Sequence, residues 1–315
     1  MITKVGNDIS LAASLLRNGE LVAIPTETVY GLAGNALNNE SVLDIYEAKQ
    51  RPAFNPLIIH LADFSFVEKY VTDIPDDAAL IAKHFSPGPI SFLLPKKSIV
   101  PDLVTAGSDK VVVRIPSHPI ALELLSKLDF PLAAPSANPF GYVSPVTAQH
   151  VMDGMNGKIP YILDGGPCTV GLESTIVGFE GNEIIIQRLG AVTAEDIRKL
   201  TGKQPKFSLL HKRPDTPGQL KSHYAPRTTV KTGNVDSLIR ENKGKKIAVI
   251  SFHDQYPDVV NFILSPSANL HEAASNLFAA LRKLDTEDVD IILAEVFPDY
   301  GIGKAINDRL GRASS

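Results

Sequence analysis

Short apolar runs rich in branched side chains alternate, over the first 200 residues, with segments whose apolar positions recur at helical spacing. In the first such unit, Asn7 or Asp8 can cap a helix that Gly19 ends. The apolar run 21–24 then predicts a buried strand, which Pro25 stops. This alternation is typical of a layered α/β fold.

The same pattern predicts further elements along the chain. A helix is expected over 41–50, where Ser41 and Asp44 have the spacing of a capping box. Further strands are predicted at Leu57–Leu61, Ile90–Leu94, Val111–Ile115, Pro131–Ala134, Ser174–Phe179 and Glu183–Gln187. Further helices are predicted at Ala78–Phe85, Pro119–Leu128, Ala148–Met152 and Thr193–Leu200.

The pattern changes after residue 200. Residues 201–227 contain four prolines and no sustained periodicity, which indicates a long linker. Beyond it, apolar runs and helical spacing predict a smaller α/β unit, with a helix near 235–240, a strand at 246–251, a helix at 272–284, a strand at 289–296 and a helix opening near Lys304. We therefore expect a first domain over 1–204, a linker over 205–228 and a second domain over 229–315.

Composition narrows the class of protein. The chain has 315 residues, of which 44% are hydrophobic and 21% charged, as in ordinary globular proteins. Its net charge of −4 argues against a basic surface covering a whole domain, but leaves a local basic patch open. Cys168 is the single cysteine, which excludes an intramolecular disulfide and any multi-cysteine metal site. No apolar run approaches a membrane span and the first residues lack a secretory pattern, so we expect a cytoplasmic protein with no membrane partner.

Candidate chemistry lies in three segments that follow predicted strands. They cover residues 25–32 with 49–57, residues 134–145 and residues 164–175, and they are richer in glycine, proline and polar residues than a core requires. In open α/β sheets, ligands bind beyond the ends of the strands. The sequence therefore predicts one binding site to which all three segments contribute.

Several of these residues also have an ordinary structural explanation. Lys49 and Arg51 stand at the end of a predicted helix, where cations favour the helix dipole whatever their function. Ser136 and Asn138 fit a turn, and His60 fits a half-buried strand position. What favours a site is that Pro52 fixes the chain after Arg51, since a rigid pair of cations suits a polyphosphate.

Two arginines are harder to explain structurally. Arg114 and Arg188 each follow a run of three branched apolar residues, and a charge at such a place must find a partner or water.

Other chemistry is disfavoured, because 301–304 fails the Walker pattern, no nucleophile elbow occurs and the histidines lack zinc spacing. Cys168 is weak as a catalytic thiol, and no set of metal ligands can be assigned.

Taken together, the motifs resemble the threonylcarbamoyl-adenylate synthase family, whose single-domain form is called YrdC. The matching segments, in family order, are PTETVYGL at 25–32, KxRP at 49–52, NPL at 55–57, RIP at 114–116, APSAN at 134–138, DGG at 164–166 and ESTIV at 173–177. The two-domain form of the family is indicated by SHYAP at 222–226 and GIGKAINDRL at 301–310. The resemblance therefore covers nearly the whole chain.

The resemblance implies a fold and a reaction. The fold is a twisted mixed parallel and antiparallel sheet with helices, followed by a linker and a smaller Rossmann-like α/β domain. The reaction joins L-threonine, bicarbonate or CO2 and ATP, with Mg²⁺, to give threonylcarbamoyl-AMP and pyrophosphate. The product then passes to the transferase machinery that makes threonylcarbamoyladenosine at position 37 of tRNA, with weak tRNA contact as a further expectation.

The resemblance also implies roles for individual residues. Threonine-binding positions are Thr28, His60, Arg114, Ala134 and Ser174. ATP-binding positions are Arg51, Asn55, Lys110, Ser136, Ser144, Arg188 and Tyr224. Residues near the reacting groups, taken as catalytic, are Lys49, Arg51, Ser136 and Asn138. Tyr224 lies in the linker, which would then serve as a lid over the nucleotide.

Two alternatives remain at this point. A local basic surface would suit an RNA-binding module, although the net charge disfavours it. Related carbamoyl-adenylate chemistry occurs in hydrogenase-maturation proteins, but the acylphosphatase-like and zinc-finger segments of those proteins are missing here. The second domain lacks a GxGxxG fingerprint, so we infer no dinucleotide and assign it no role.

Overall fold

A computed structural model describes residues 2–208, 216–217 and 224–315. Its first part contains a large sheet with helices packed on it. The elements of this part, in chain order, are β1 (Lys4–Gly6), α1 (Ile9–Arg17), β2 (Val22–Ile24), β3 (Gly31–Asn35), α2 (Asn39–Lys49), β4 (Ile58–His60), a 3₁₀ helix (Phe64–Lys69), α3 (Asp76–Phe85), β5 (Ile90–Pro95), α4 (Asp102–Thr105), β6 (Lys110–Arg114), α5 (Pro119–Ser126), β7 (Leu132–Ala133), α6 (Ala148–Met155), β8 (Tyr161–Leu163), β9 (Thr175–Glu180), β10 (Glu183–Arg188), α7 (Ala194–Thr201) and β11 (Lys206–Phe207).

The second part is smaller and its strands all run parallel. Its elements are β12 (Thr229–Gly233), α8 (Val235–Glu241), β13 (Ile247–Ser251), β14 (Val260–Ile263), α9 (Leu270–Leu284), β15 (Ile291–Glu295) and α10 (Gly303–Ala313). The strand order is β12-β15-β13-β14, a Rossmann-like arrangement. The large sheet has the order β1-β8-β2-β3-β7-β4-β6-β5-β9-β10-β11 and mixes parallel with antiparallel pairs. The predicted fold class is confirmed.

Strand direction explains why residues distant in sequence meet. β4 and β6 are parallel and in register, so His60 lies directly opposite Arg114 at their carboxyl ends. β5 runs antiparallel to β6 and parallel to β9, which brings the start of β9, next to Ser174, to the same edge. β10 returns antiparallel along β9 and places Arg188 opposite Ile176. One edge of the sheet therefore collects groups from four strands.

The strongest local patterns are confirmed. Asp8 caps α1 by accepting the amide of Leu11 at 2.9 Å, and β2 lies where the apolar run predicts it. The capping of α2 was predicted wrongly. Asn38 is the cap and the helix begins two residues earlier, while the Ser41 hydroxyl donates to the carbonyl of Gly19 at 2.9 Å.

The connection between the two sheets is structured at its start. β11 pairs in parallel with β10, so the large sheet continues past residue 204, where the first domain was expected to end. Thr216 and Pro217 are described within the predicted linker, and Ser222 and His223 of its SHYAP motif lie outside the described residues. The second sheet begins at Thr229. The domain limits themselves stay a prediction.

Charged side chains connect the two parts. Arg282 of α9 donates to the carbonyls of Val143, Ser144 and His150 in the first part. Tyr142 donates to Asp285 at 2.8 Å. These contacts fix the second part against the segment that follows Asn138. In the described part of the chain, no helix is long and apolar enough to cross a membrane.

The backbones of the two parts are in close contact at Gly171, which has φ +74°. A Cβ at this position would lie 2.5 Å from the Cα of Ser275 and 2.6 Å from its carbonyl oxygen. We expect Gly171→Ala to destabilise the protein by more than about 3 kcal/mol, because backbone strain adds to a clash between the two parts. Gly181, which also has positive φ but open space around it, is the control position. Urea denaturation of both alanine variants measures the difference, and equal losses would contradict the packing argument.

Candidate active site

A cavity lies at the sheet edge where the carboxyl ends of β4 and β6 meet. Its walls come from the segment after β2, from the strand ends, from the loop after β7 and from the linker. The lining residues are Val29, Arg51, Ile58, His60, Arg114, Ala134, Pro135, Ser136, Glu173, Arg188, Pro217 and Tyr224. Seven predicted site residues thus meet in one place, among them Arg51, Arg114 and Arg188.

Arg51 and Arg188 are held by oxygen atoms of the protein that carry no full charge. Arg51 donates to the carbonyls of Asn55 and Pro56, at 3.1 and 2.8 Å. Arg188 donates to the carbonyl and the hydroxyl of Ser174, both at 3.0 Å. Burial lowers the pKa of each guanidinium to about 10, so both stay charged at neutral pH. Two buried cations without a dedicated carboxylate favour an anionic ligand.

Arg114 has a different environment. Its Nη2 donates to Glu27 Oε1 at 2.7 Å, and the other oxygen of Glu27 accepts the amide of Ser117 at 3.1 Å. Among the described residues, the buried Nε of Arg114 has no hydrogen-bond partner. Glu27 therefore fixes one side of the guanidinium, and its remaining N–H groups suit a further acceptor such as a carboxylate.

His60 and Tyr224 complete the wall. Burial, and next the charge of Arg114, lowers the pKa of His60 to about 3, so the imidazole is neutral at physiological pH. Tyr224 adopts φ +64° and stacks on Phe278, with ring centroids 5.4 Å apart. Burial raises the pKa of its hydroxyl to about 12, so this group stays protonated.

Glu173 lines the cavity, although the sequence alone does not indicate a role for it. Its Oε1 accepts the hydroxyl of Ser144 at 2.6 Å, and its Oε2 accepts Arg309 Nε at 2.9 Å. Burial alone would raise the pKa of this carboxyl, but Arg309 and Arg188 outweigh it and hold the pKa below its ordinary value. Ser144 is thus engaged with Glu173, next to the cavity.

Lys49 and Asn138 lie behind the loop after β7 and do not line the cavity. The ammonium of Lys49 donates to the carbonyls of Ser136 and Asn138, at 2.5 and 2.6 Å. Asn138 Nδ2 donates to the carbonyls of Pro139 and Tyr142. Burial and the charge of Arg51 lower the pKa of Lys49 well below its ordinary value. In this structure both side chains brace the loop that presents Ser136, and their catalytic roles stay a prediction.

The other predicted residues do not line the cavity. Asn55 is fully buried, and neither atom of its side-chain amide has a partner among the described residues. Thr28 bonds to Thr26 at 2.8 Å, next to the lining residue Val29. Ser174 bonds to Arg188, as described above. Lys110 starts β6, roughly 13 Å along the strand from Arg114, and its role stays a prediction.

The described residues contain no group of three or more side chains that could hold a metal ion. The two carboxylates at the cavity, Glu27 and Glu173, are each paired with an arginine. Cys168 is buried, and burial raises the pKa of its thiol to about 12, which disfavours a thiolate nucleophile.

Comparison with known proteins finds relatives along both parts of the chain. The Sua5/YciO/YrdC family model, described as "Telomere recombination", matches residues 14–190. A second model, "Threonylcarbamoyl-AMP synthase, C-terminal domain", matches residues 192–315. Threonylcarbamoyl-AMP synthase of Pyrococcus abyssi is 42% identical over 97% of this chain and 94% of its own. The Bacillus subtilis enzyme of that name is 39% identical over 97% of this chain and 92% of its own.

A solved structure is similar over the full length. It is P. abyssi Sua5 in complex with L-threonine, with a TM-score of 0.92 and 39% identity, covering 100% of this chain and 98% of that one. The similarity is therefore not limited to the motifs, because sequence and fold agree along both parts of the chain. The chain belongs to the threonylcarbamoyl-AMP synthase family.

Proposed function

We propose that the protein is a nucleotidyltransferase that forms threonylcarbamoyl-AMP and pyrophosphate from L-threonine, bicarbonate or CO2 and ATP. The observation that carries this proposal is the meeting of Arg51, Arg114 and Arg188 in one cavity. The reaction brings a carbamate oxygen towards the α-phosphorus of ATP, so one anion must approach another. Repulsion of this kind costs several kcal/mol in a medium of lowered dielectric, and buried cations offset it.

The three arginines have different hydrogen-bond partners in the protein, and this difference assigns each of them to a different substrate group. Arg114, fixed by Glu27, has N–H groups that suit the carboxylate of threonine. Arg51 and Arg188, held by neutral oxygens, suit the triphosphate. Neutral His60 and protonated Tyr224 can accept or donate hydrogen bonds to the substrates without adding charge. Catalysis then consists of positioning and electrostatic stabilisation, with no protein nucleophile.

Magnesium enters this proposal as part of the Mg-ATP substrate. Its two positive charges would reduce the negative charge that the arginines face. The family relationship supports delivery of the product to the transferase that completes threonylcarbamoyladenosine in tRNA. Weak contact with tRNA and a cytoplasmic location stay predictions. Pro217 and Tyr224 in the cavity wall support a role for the linker as a cover that keeps water from the product.

The test is to incubate the purified protein with Mg-ATP, labelled bicarbonate and L-threonine. We expect threonine-dependent release of pyrophosphate and label in an adenylate. Omission of threonine is the control. Pyrophosphate release that does not depend on threonine, or no release at all, would contradict the proposed function.

A further inference from the structure

Arg309 is a buried cation that the proposed reaction leaves unused. It lies on α10 of the second part and has an exposed fraction of 0%. Ala305, Ile306 and Ala313, three or four residues away along the helix, are buried on the same face. A guanidinium on such a face is costly unless its donors are satisfied, so its contacts reveal why it is there.

Those contacts extend from the second part to the wall of the cavity. Arg309 Nε donates to Glu173 Oε2 at 2.9 Å, and Nη2 donates to the carbonyl of Leu189 at 2.8 Å. Nη1 donates to Asp308 at 2.6 Å. The guanidinium carbon lies 5.2 Å from the ring centroid of Tyr224. Arg309 thus touches two cavity residues, Glu173 and Tyr224, and the residue that follows Arg188.

Glu173 connects Arg309 to the substrate site. It lines the cavity together with Arg188, and the two interact electrostatically. Besides Arg309, Arg188 is the cation whose charge acts on the buried carboxylate. Without Arg309, Arg188 would be paired with Glu173 and drawn away from an anionic ligand. The bond from Arg309 occupies Oε2 of Glu173, while the hydroxyl of Ser144 occupies Oε1.

We propose that Arg309 is a positioning residue: it retains Glu173 and thereby leaves Arg188 to bind the triphosphate of ATP. The inference rests on the proposed function for its ligand. It also gives the second part a role, which is to supply from α10 a charge that the nucleotide site of the first part requires.

The experiment measures binding of the magnesium complex of α,β-methylene-ATP by calorimetry to four full-length proteins. These are the wild type, Arg309→Met, Glu173→Gln and the double variant. We expect Arg309→Met to weaken binding at least about tenfold in the wild-type background and less than about threefold in the Glu173→Gln background, because the carboxylate that captures Arg188 is then gone. Arg312→Met is the matched control, since Arg312 is also buried on α10 and pairs with Asp308. It should change binding less than about twofold.

Equal losses in both backgrounds would overturn the proposal, because they would show that Arg309 acts through packing alone. No loss in either background would overturn it too. Arg309→Met leaves the charged carboxylate of Glu173 buried, so this variant could fail to fold. In that case the comparison of Glu173→Gln with the double variant still tests the proposal. A tenfold difference in nucleotide affinity between these two proteins would overturn it. Threonine-dependent pyrophosphate release by the wild type tests the proposed function separately, because the binding cycle requires no turnover.

Discussion

Replacing Arg51 with methionine is expected to lower threonine-dependent pyrophosphate release by at least about a hundredfold, the usual cost of removing one hydrogen-bond donor from a developing negative charge. As pyrophosphate leaves, charge gathers on the phosphoryl oxygens, and Arg51 is one of the two cavity arginines whose protein partners are neutral. Steady-state rates at saturating ATP and threonine measure the loss in kcat.

The same change is expected to alter thermal stability only slightly. Methionine leaves the carbonyl of Pro56 without its Arg51 donor, which costs about 1–3 kcal/mol. The carbonyl of Asn55 keeps a donor, because the hydroxyl of Tyr46 bonds to it at 3.2 Å. It also removes the repulsion that Arg51 exerts on Arg188 and Lys49, which offsets part of that cost. Differential scanning calorimetry measures the balance.

Arg282→Met provides the control for this experiment. Arg282 is also buried and also donates to carbonyls, but it lies at the contact between the two parts and does not line the cavity. We expect its loss to lower the melting temperature at least as much and the activity less than about tenfold. If the Arg282 variant loses more activity than the Arg51 variant, the assignment of Arg51 to the triphosphate is wrong.

The sequence predicted elements best where several local signals agreed. α1 has an apolar face, a capping aspartate and a glycine beyond its end, and the structure confirms it. β3 was not predicted, because Gly31 and Gly34 dilute its apolar pattern. Space at Gly34 is tight, since a Cβ would lie 2.9 Å from Cδ2 of Leu21 and 3.3 Å from the carbonyl oxygen of Ser41. The cap of α2 was misplaced because Asn38 and Ser41 are both good capping residues, and the contact of Ser41 with Gly19 depends on the tertiary fold.

At the site, the sequence indicated which segments would meet but not which side chains would face the ligand. Lys49 and Arg51 are two residues apart, yet one braces a loop and the other lines the cavity. Local sequence does not determine which way a long flexible side chain turns at the end of a helix. Arg309 is 136 residues from Glu173, and its pairing follows from the docking of the two parts. A signal did exist, because Arg309 continues the apolar face of α10.

Arg114→Lys is expected to raise the KM for threonine at least about tenfold, because charge-assisted hydrogen bonds contribute about 1.5–3 kcal/mol and lysine cannot offer two parallel donors. A lysine could still pair with Glu27, so the buried carboxylate would keep a partner and the fold would be retained. The KM for ATP should change less than about threefold, since the fork of Arg114 is assigned to the amino-acid carboxylate. Initial rates with each substrate varied in turn measure both constants.

Arg51→Lys is the matched control, because it makes the same chemical change at a cavity arginine held by carbonyls instead of a carboxylate. Here the KM for ATP should rise more than the KM for threonine. The two variants together form a crossover that general damage to the cavity would not produce, since a distorted wall weakens both substrates in both proteins. If Arg114→Lys affects ATP as strongly as threonine, the guanidinium does not discriminate between them, and the division of the three arginines between carboxylate and phosphate fails.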